Sequence, residues 1–307
     1  MNSSDFVIKD GCLDRYEGKE RQIRIPDGVT RVGICAFGSQ YRHCPVEKIT
    51  VPASVTELAQ SAFAFCTALT EIVFEGSIPK IPCGLFRGCR ALRTLRLPSS
   101  VTRIEEDAFC GCTALEAVVL PEGLTEIEEG AFYGCEKLTR ISFPASLQSV
   151  GASAFAGCRA LYDVRAKEGL LAVGRSAFFG CDAIAQIVLP ASVTKIGDRA
   201  FAGCTRLAHV TLRAERVTLG MAVFDGAPSP LSVDFGGDAA AWEEMIRPIY
   251  VAPEYETMYG ERGSYTKCYP LGHAKEAQFV CHVHTEKDGR FLDSYGHALT
   301  EDGGVMH

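Results

Sequence analysis

Fourteen cysteines and seven histidines are the side chains of this 307-residue chain best suited to chemistry. Cys66, Cys89, Cys112, Cys135, Cys158, Cys181 and Cys204 recur every 23 residues, and three roles compete for them: disulfides, metal ligands or packed thiols. In a stacked column the side chains point the same way and their number is odd, so systematic pairing is geometrically poor. Packing is favoured, because a small polarizable thiol fits where a turn crowds a core and behaves there as a small hydrophobe. The metal candidates lie elsewhere, among Cys268, His273, Cys281, His282 and His284. His282 and His284 would share one face of a strand, and a Cys268 thiolate could join them in a tetrahedral zinc site. The spacing matches no compact zinc motif, however, and alternation sends Cys281 and Val283 inward and the histidines toward solvent. The reading is therefore no metal and no other cofactor; a metal-binding or metal-sensing protein using Cys268, His282 and His284 is the alternative.

Other catalytic constellations are missing. The chain has no G-x-S-x-G elbow, P-loop, H-E-x-x-H pair or dinucleotide-binding glycine pattern, each of which supplies a nucleophile, a phosphate cradle or a metal site. A non-enzymatic protein is expected. Its net charge of −7 argues against nucleic acid and against an anionic membrane surface, both of which call for clustered Lys and Arg. With 47% hydrophobic and 22% charged residues the chain can bury a core, which excludes disorder.

The elements that position these residues follow from the period. Phe63, Phe86, Phe109, Phe132, Phe155, Phe178, Phe201 and Phe224 are each 23 residues apart, and Phe37 joins them after a three-residue insertion, giving nine repeats. Alanine precedes most of them; aliphatics follow at six and nine residues, as in Leu138 and Ile141. Two residues further stand Leu97, Leu120, Phe143 and Leu189, and that step of two is the strand period. Proline then follows at Pro52, Pro98, Pro121, Pro144 and Pro190, where its missing N–H and fixed φ end the strand. Segments such as Val101-Thr102-Arg103-Ile104 bury two more aliphatics before the next Ala-Phe pair, whose spacing to Cys and Leu predicts a short helical turn. A unit of this size cannot bury its own apolar face, so the coils must stack. The fold class expected is an α/β solenoid, with parallel strands on a concave face and short helical turns on a convex one.

These residues carry a resemblance. Ile25-Pro26-Asp27-Gly28-Val29-Thr30, the turn Gly130-Ala131-Phe132-Tyr133-Gly134-Cys135, and Leu138-x-x-Ile141-x-Phe143-Pro144 resemble the BspA-like leucine-rich repeats over roughly residues 20 to 235. The resemblance implies a right-handed leucine-rich repeat superhelix that serves protein–protein interaction without catalysis. It also implies kinship with a mainly bacterial group that includes cell-surface adhesins.

Residues eight and ten after each Phe flank an inward aliphatic and so face outward. Among them Arg96, Arg140 and Arg165 form a basic streak with Tyr162 beside it, while Val73, Val119 and Val188 leave apolar gaps. Arg96, Arg140, Tyr162 and Arg165 are the candidate anchors for a protein partner, since Tyr and Arg dominate interface energetics. On the opposite side Glu105, Glu106, Asp107, Glu126, Glu128 and Glu129 form an acidic patch read as a solvated face.

Three regions follow: residues 1–22 as an N-terminal capping hairpin, residues 23–235 as the repeats, and residues 236–307 as a capping helix, an irregular insertion and a closing hairpin. Asp10-Gly11 signals a type I′ turn. Asp238 is placed to N-cap a helix carrying Trp242, Met245, Ile246 and Ile249, with a buried Trp242. A strand is expected over residues 278–284 and mobility over 300–307. Met1 to Phe6 carries neither a basic nor an apolar leader region, so a cytoplasmic monomer is expected, with a secreted or surface location as the alternative if a leader has been removed.

Overall fold

The computed structural model describes residues 5–39, 44–228 and 231–246, together with the backbone of the strands Ile249–Tyr250, Lys267–Cys268, Phe279–His284 and Phe291–Leu292. Its coils repeat the 23-residue unit. In each, a longer strand such as Arg140–Ser142 runs parallel to its successor, Asp163–Arg165, with Arg140 opposite Asp163 and Ile141 opposite Val164. These strands run from Gln22–Arg24 to Leu231–Phe235, and the ladder is interrupted on either side of the pair Thr94–Arg96 and Ala117–Val119. Ile72, Leu95, Ile141, Ile187, Val210 and Val233 all point from it into the core.

The segments that bury two aliphatics form a sheet of their own. Lys80–Ile81, Arg103–Ile104, Glu126–Ile127, Ser149–Val150, Ala172–Val173, Lys195–Ile196 and Thr218–Leu219 pair in parallel, in chain order. Val101 and Ile104 are fully buried.

The third side of each coil holds the expected turns, and each stays a single turn. In the coils from Phe63 to Phe224 two residues, two before and two after the Phe, have left-handed backbones, for example Ser153 (φ 51°) and Gly157 (φ 74°) around Phe155. Since an α-helix needs consecutive right-handed residues, it cannot propagate through them. The N–H groups divide instead: Ala154 and Cys158 donate three residues back, to Gly151 and Phe155, while Ser153, Phe155 and Gly157 donate to Arg175, Ala177 and Phe179 in the next coil. The turns are therefore stitched together by backbone bonds as the strands are. Glycine fills the second left-handed place in most coils because it adopts that conformation without a Cβ penalty.

Between the three sides the Phe rings form a continuous stack from Phe37 to Phe224, with successive centroids 4.9–5.7 Å apart. The hairpin Phe6–Lys9 and Cys12–Tyr16 extends it, placing Tyr16 5.6 Å from Phe37 and Phe6 5.0 Å from Tyr16. Asp10 and Gly11 both have positive φ (49° and 72°), as a type I′ turn requires.

At the far end Leu231–Phe235 pairs with Phe279–His284, which pairs antiparallel with Phe291–Leu292. The helix spans Ala239–Ile246; Asp238 Oδ1 accepts from the Ala241 N–H at 2.7 Å, and Trp242 packs 5.5 Å from Phe235. Ile249, expected on that helix, lies instead on the strand Ile249–Tyr250, antiparallel to Lys267–Cys268. Pro248 in the sequence disfavours helical backbone at the residue before it, so the helix stops short. The rest of the expected insertion and residues 300–307 lie outside the described residues.

Candidate interaction surface

The long strands alternate, so the residues flanking each buried aliphatic are presented outward. Arg96 and Arg140 are exposed, and Arg165 and Tyr162 with them. Arg140 and Tyr162 meet: Arg140 Nη2 donates to the Tyr162 hydroxyl at 3.2 Å, which fixes the guanidinium beside a ring that stays half exposed. Arg165 is held by Asp163, two residues back on its own strand, with Nη2 2.9 Å from Oδ2. Arg96 stands three coils from Arg165 and has no ion pair among the described residues; opposite it lies Val119, 50% exposed.

Sequence reading missed how many charges on this face are already matched. Lys48 pairs with Glu71 at 2.8 Å and Arg93 with Glu116 at 3.2 Å. Both pairs are 23 residues apart, so opposite charges one period apart are the signal that finds them. From Arg93 to Arg165 the face sets four arginines against two carboxylates, Glu116 and Asp163. Arg96 and Arg140 carry the unmatched charge, in a chain whose overall charge is −7.

The acidic patch is not a uniformly solvated face. Glu105 bonds Lys80 Nζ at 2.7 Å and accepts from the Cys83 N–H at 3.1 Å; Glu128 pairs with Arg103 and accepts from the Glu106 N–H at 3.1 Å. Asp107 pairs with Arg87 at 2.6 Å. Glu106 and Glu129 remain exposed. These carboxylates tie successive coils together, so replacing Glu105 or Glu128 would disturb the fold.

The repeating cysteines are buried in the core and form no disulfide. From Cys89 to Cys204 each donates to a carbonyl one coil back, as Cys158 Sγ does to Phe132 O at 3.2 Å. Burial pushes the ionisation of these six up, to about 12 for Cys158 and Cys204. They are thus unsuited to ligate metal or act as nucleophiles, because both roles need the thiolate. No cluster of three His, Cys, Asp or Glu suited to a metal occurs among the described residues. The side chains of Cys268, His282 and His284 lie outside them. No helix among the described residues is long and apolar enough to cross a membrane.

The BspA-type leucine-rich repeat region matches this chain in six copies, over residues 38–162 and 125–238. The chain belongs to the BspA-type leucine-rich repeat family. Repeats of this kind generally serve protein interaction or sit at surfaces, and they are typically non-enzymatic. Solved structures similar to it include the T. pallidum leucine-rich repeat protein, 26% identical, covering 80% of this chain and 93% of its own, with a TM-score of 0.46. A leucine-rich repeat protein from Bacteroides ovatus is 27% identical, covering 68% and 65%, with a TM-score of 0.42. A leucine-rich cell surface protein from Faecalibacterium prausnitzii is 20% identical, covering 78% and 95%, with a TM-score of 0.38. None of the curated proteins matches this BspA-type chain. Nothing in these likenesses supports the expected cytoplasmic location.

Proposed function

We propose that this BspA-type repeat is a non-enzymatic protein-interaction module that receives its partner on the long-strand face, anchored by Arg96, Arg140, Tyr162 and Arg165. The observation that carries the reading is the Arg140–Tyr162 hydrogen bond at 3.2 Å. It holds a charged fork and an aromatic ring, the two side-chain types that contribute most at interfaces, in one exposed arrangement, so little rotamer entropy is lost on binding. Arg96 adds an unmatched charge beside the apolar Val119. Arg165 contributes less than the other two arginines because Asp163 already holds it. In this reading the hairpin of residues 1–22 and the segment 236–307 serve as caps.

The test is a partner identified by crosslinking in the native cell, followed by binding of purified partner to Arg96→Ser, Arg140→Ser, Arg165→Ser in one chain. A loss of about 2 kcal/mol or more is expected, with wild-type affinity falling as salt rises. The control is Glu106→Gln with Glu129→Gln, exposed carboxylates on the far side. Normal binding by the arginine variant alongside loss in the control would remove the long-strand face as the site.

A further inference from the structure

Beside the short strands the chain builds one arrangement repeatedly. In two coils a cation six residues before the Phe and a backbone N–H three residues before it clamp a carboxylate from the next coil. Lys80 Nζ and the Cys83 N–H hold Glu105, at 2.7 Å and 3.1 Å. Arg103 and the Glu106 N–H hold Glu128, the latter at 3.1 Å. Each carboxylate takes a charge-assisted bond on one oxygen and a backbone bond on the other.

Two further coils carry a cation at the same place. Arg31 donates instead to Cys12 Sγ at 3.4 Å. Lys195 is exposed and has no ion pair among the described residues, and the Asp198 N–H beside it, three residues before Phe201, has no acceptor among them. The next coil supplies no carboxylate, because Gly220 stands where Glu105 and Glu128 stand in their coils. A Cβ at 220 would collide with the Asp198 backbone nitrogen, so no longer side chain fits there. In place of the carboxylate there is a cavity of about 370 Å³ that runs across the last coils from Val150 to Gly220, with Lys195 and Asp198 in its lining. The flanking positions on the short strands, Ala172 and Thr218, are uncharged. Arg175 adds a second exposed cation. The Asp198 carboxylate is the one negative group in the lining, and it is engaged by the Met221 N–H at 2.7 Å.

We infer that Lys195 and the Asp198 N–H form an open carboxylate clamp, which takes an acidic side chain of a partner polypeptide lying along the short strands of the last coils. The occupant is a polypeptide because the groove continues over three coils, past the N–H group of Arg175, which likewise has no acceptor among the described residues. This site is separate from the long-strand face and does not rest on it.

The experiment uses the full chain, nitrogen-15 labelled, carrying Arg96→Ser, Arg140→Ser and Arg165→Ser so that the long-strand face cannot capture the probe. Titration with a hexaglutamate peptide at low salt should move the Asp198 amide resonance to saturation. Adding Lys195→Gln should weaken that binding about fivefold, the scale of one partly exposed ion pair; Lys137→Gln, an exposed lysine elsewhere, should leave it unchanged. An Asp198 amide that stays still, or equal affinity with and without Lys195, overturns the clamp. A shift with acetate alone and none with the peptide overturns the polypeptide as its occupant.

Discussion

Cys135 Sγ donates to the carbonyl oxygen of Phe109, 3.3 Å away and one coil earlier, and that same oxygen accepts the Cys112 N–H at 3.1 Å within its own coil. The cysteine is thus more than a small hydrophobe: it satisfies a second lone pair on a buried carbonyl and links coils through the core. The same bond recurs from Cys89, Cys112, Cys158, Cys181 and Cys204.

Alkaline pH should therefore destabilise the protein. An unfolded thiol ionises near pH 9, whereas burial holds Cys158 and Cys204 neutral to about 12. Because the folded value is the higher, the unfolded state binds fewer protons over this window, so stability is intact below about pH 8 and falls between about 9 and 12. Urea midpoints across that range check it, and Cys158→Ala should release about one proton fewer on unfolding. A flat profile would contradict the buried thiols.

Thiol reagents should distinguish two classes of cysteine. Cys12, Cys35, Cys83 and Cys110 are partly exposed, whereas the repeating column is buried. Among these described cysteines, native protein should label quickly only at the first group. Denatured, unreduced protein should yield at least the twelve thiols that form no disulfide in the structure; recovery of a few would mean that pairing occurs.

Removing a ring from the stack should be costly. Phe132 and Phe155 are fully buried with centroids 5.0 Å apart, so Phe132→Ala and Phe155→Ala should each destabilise by about 3–5 kcal/mol in denaturant titrations. Unchanged midpoints would count against a closely packed stack.

Two glycines separate backbone conformation from close packing. Gly134 has φ 68° and open space where a Cβ would sit, so Gly134→Ala should cost only about 1 kcal/mol, from the left-handed backbone. At Gly174 a Cβ would lie 2.5 Å from the Gly151 carbonyl carbon. Gly174→Ala should cost more and loosen the neighbouring coils, seen as faster amide exchange at Ser153 and Phe155. Equal effects of the two substitutions would mean the coils do not approach this closely.

The period of 23 by itself determined which side chains are buried, because stacking coils must superpose Phe132 on Phe109 and Ile141 on Leu95 and Val118 wherever each coil makes the same turns. It also determined that Arg96, Arg140 and Arg165 face outward, since alternation about an inward aliphatic leaves no other direction; Tyr162 precedes its strand and escapes that rule, and its exposure was decided by the tertiary structure. The hairpin at Asp10-Gly11 was legible for a local reason, the backbone these two residues accept. What only the tertiary structure decided is which partners those side chains find. Nothing local separates Glu105, which reaches back to a backbone N–H of the preceding coil, from Glu106, which stays in water. Nor does Lys195 differ in type from Lys80; one is left open and the other filled because Gly220 admits no side chain where Glu105 stands. The left-handed residues before each Phe, mostly not glycine, were hidden for the same reason: their conformation is imposed by N–H bonds to the next coil, and those bonds exist only once the coils have stacked.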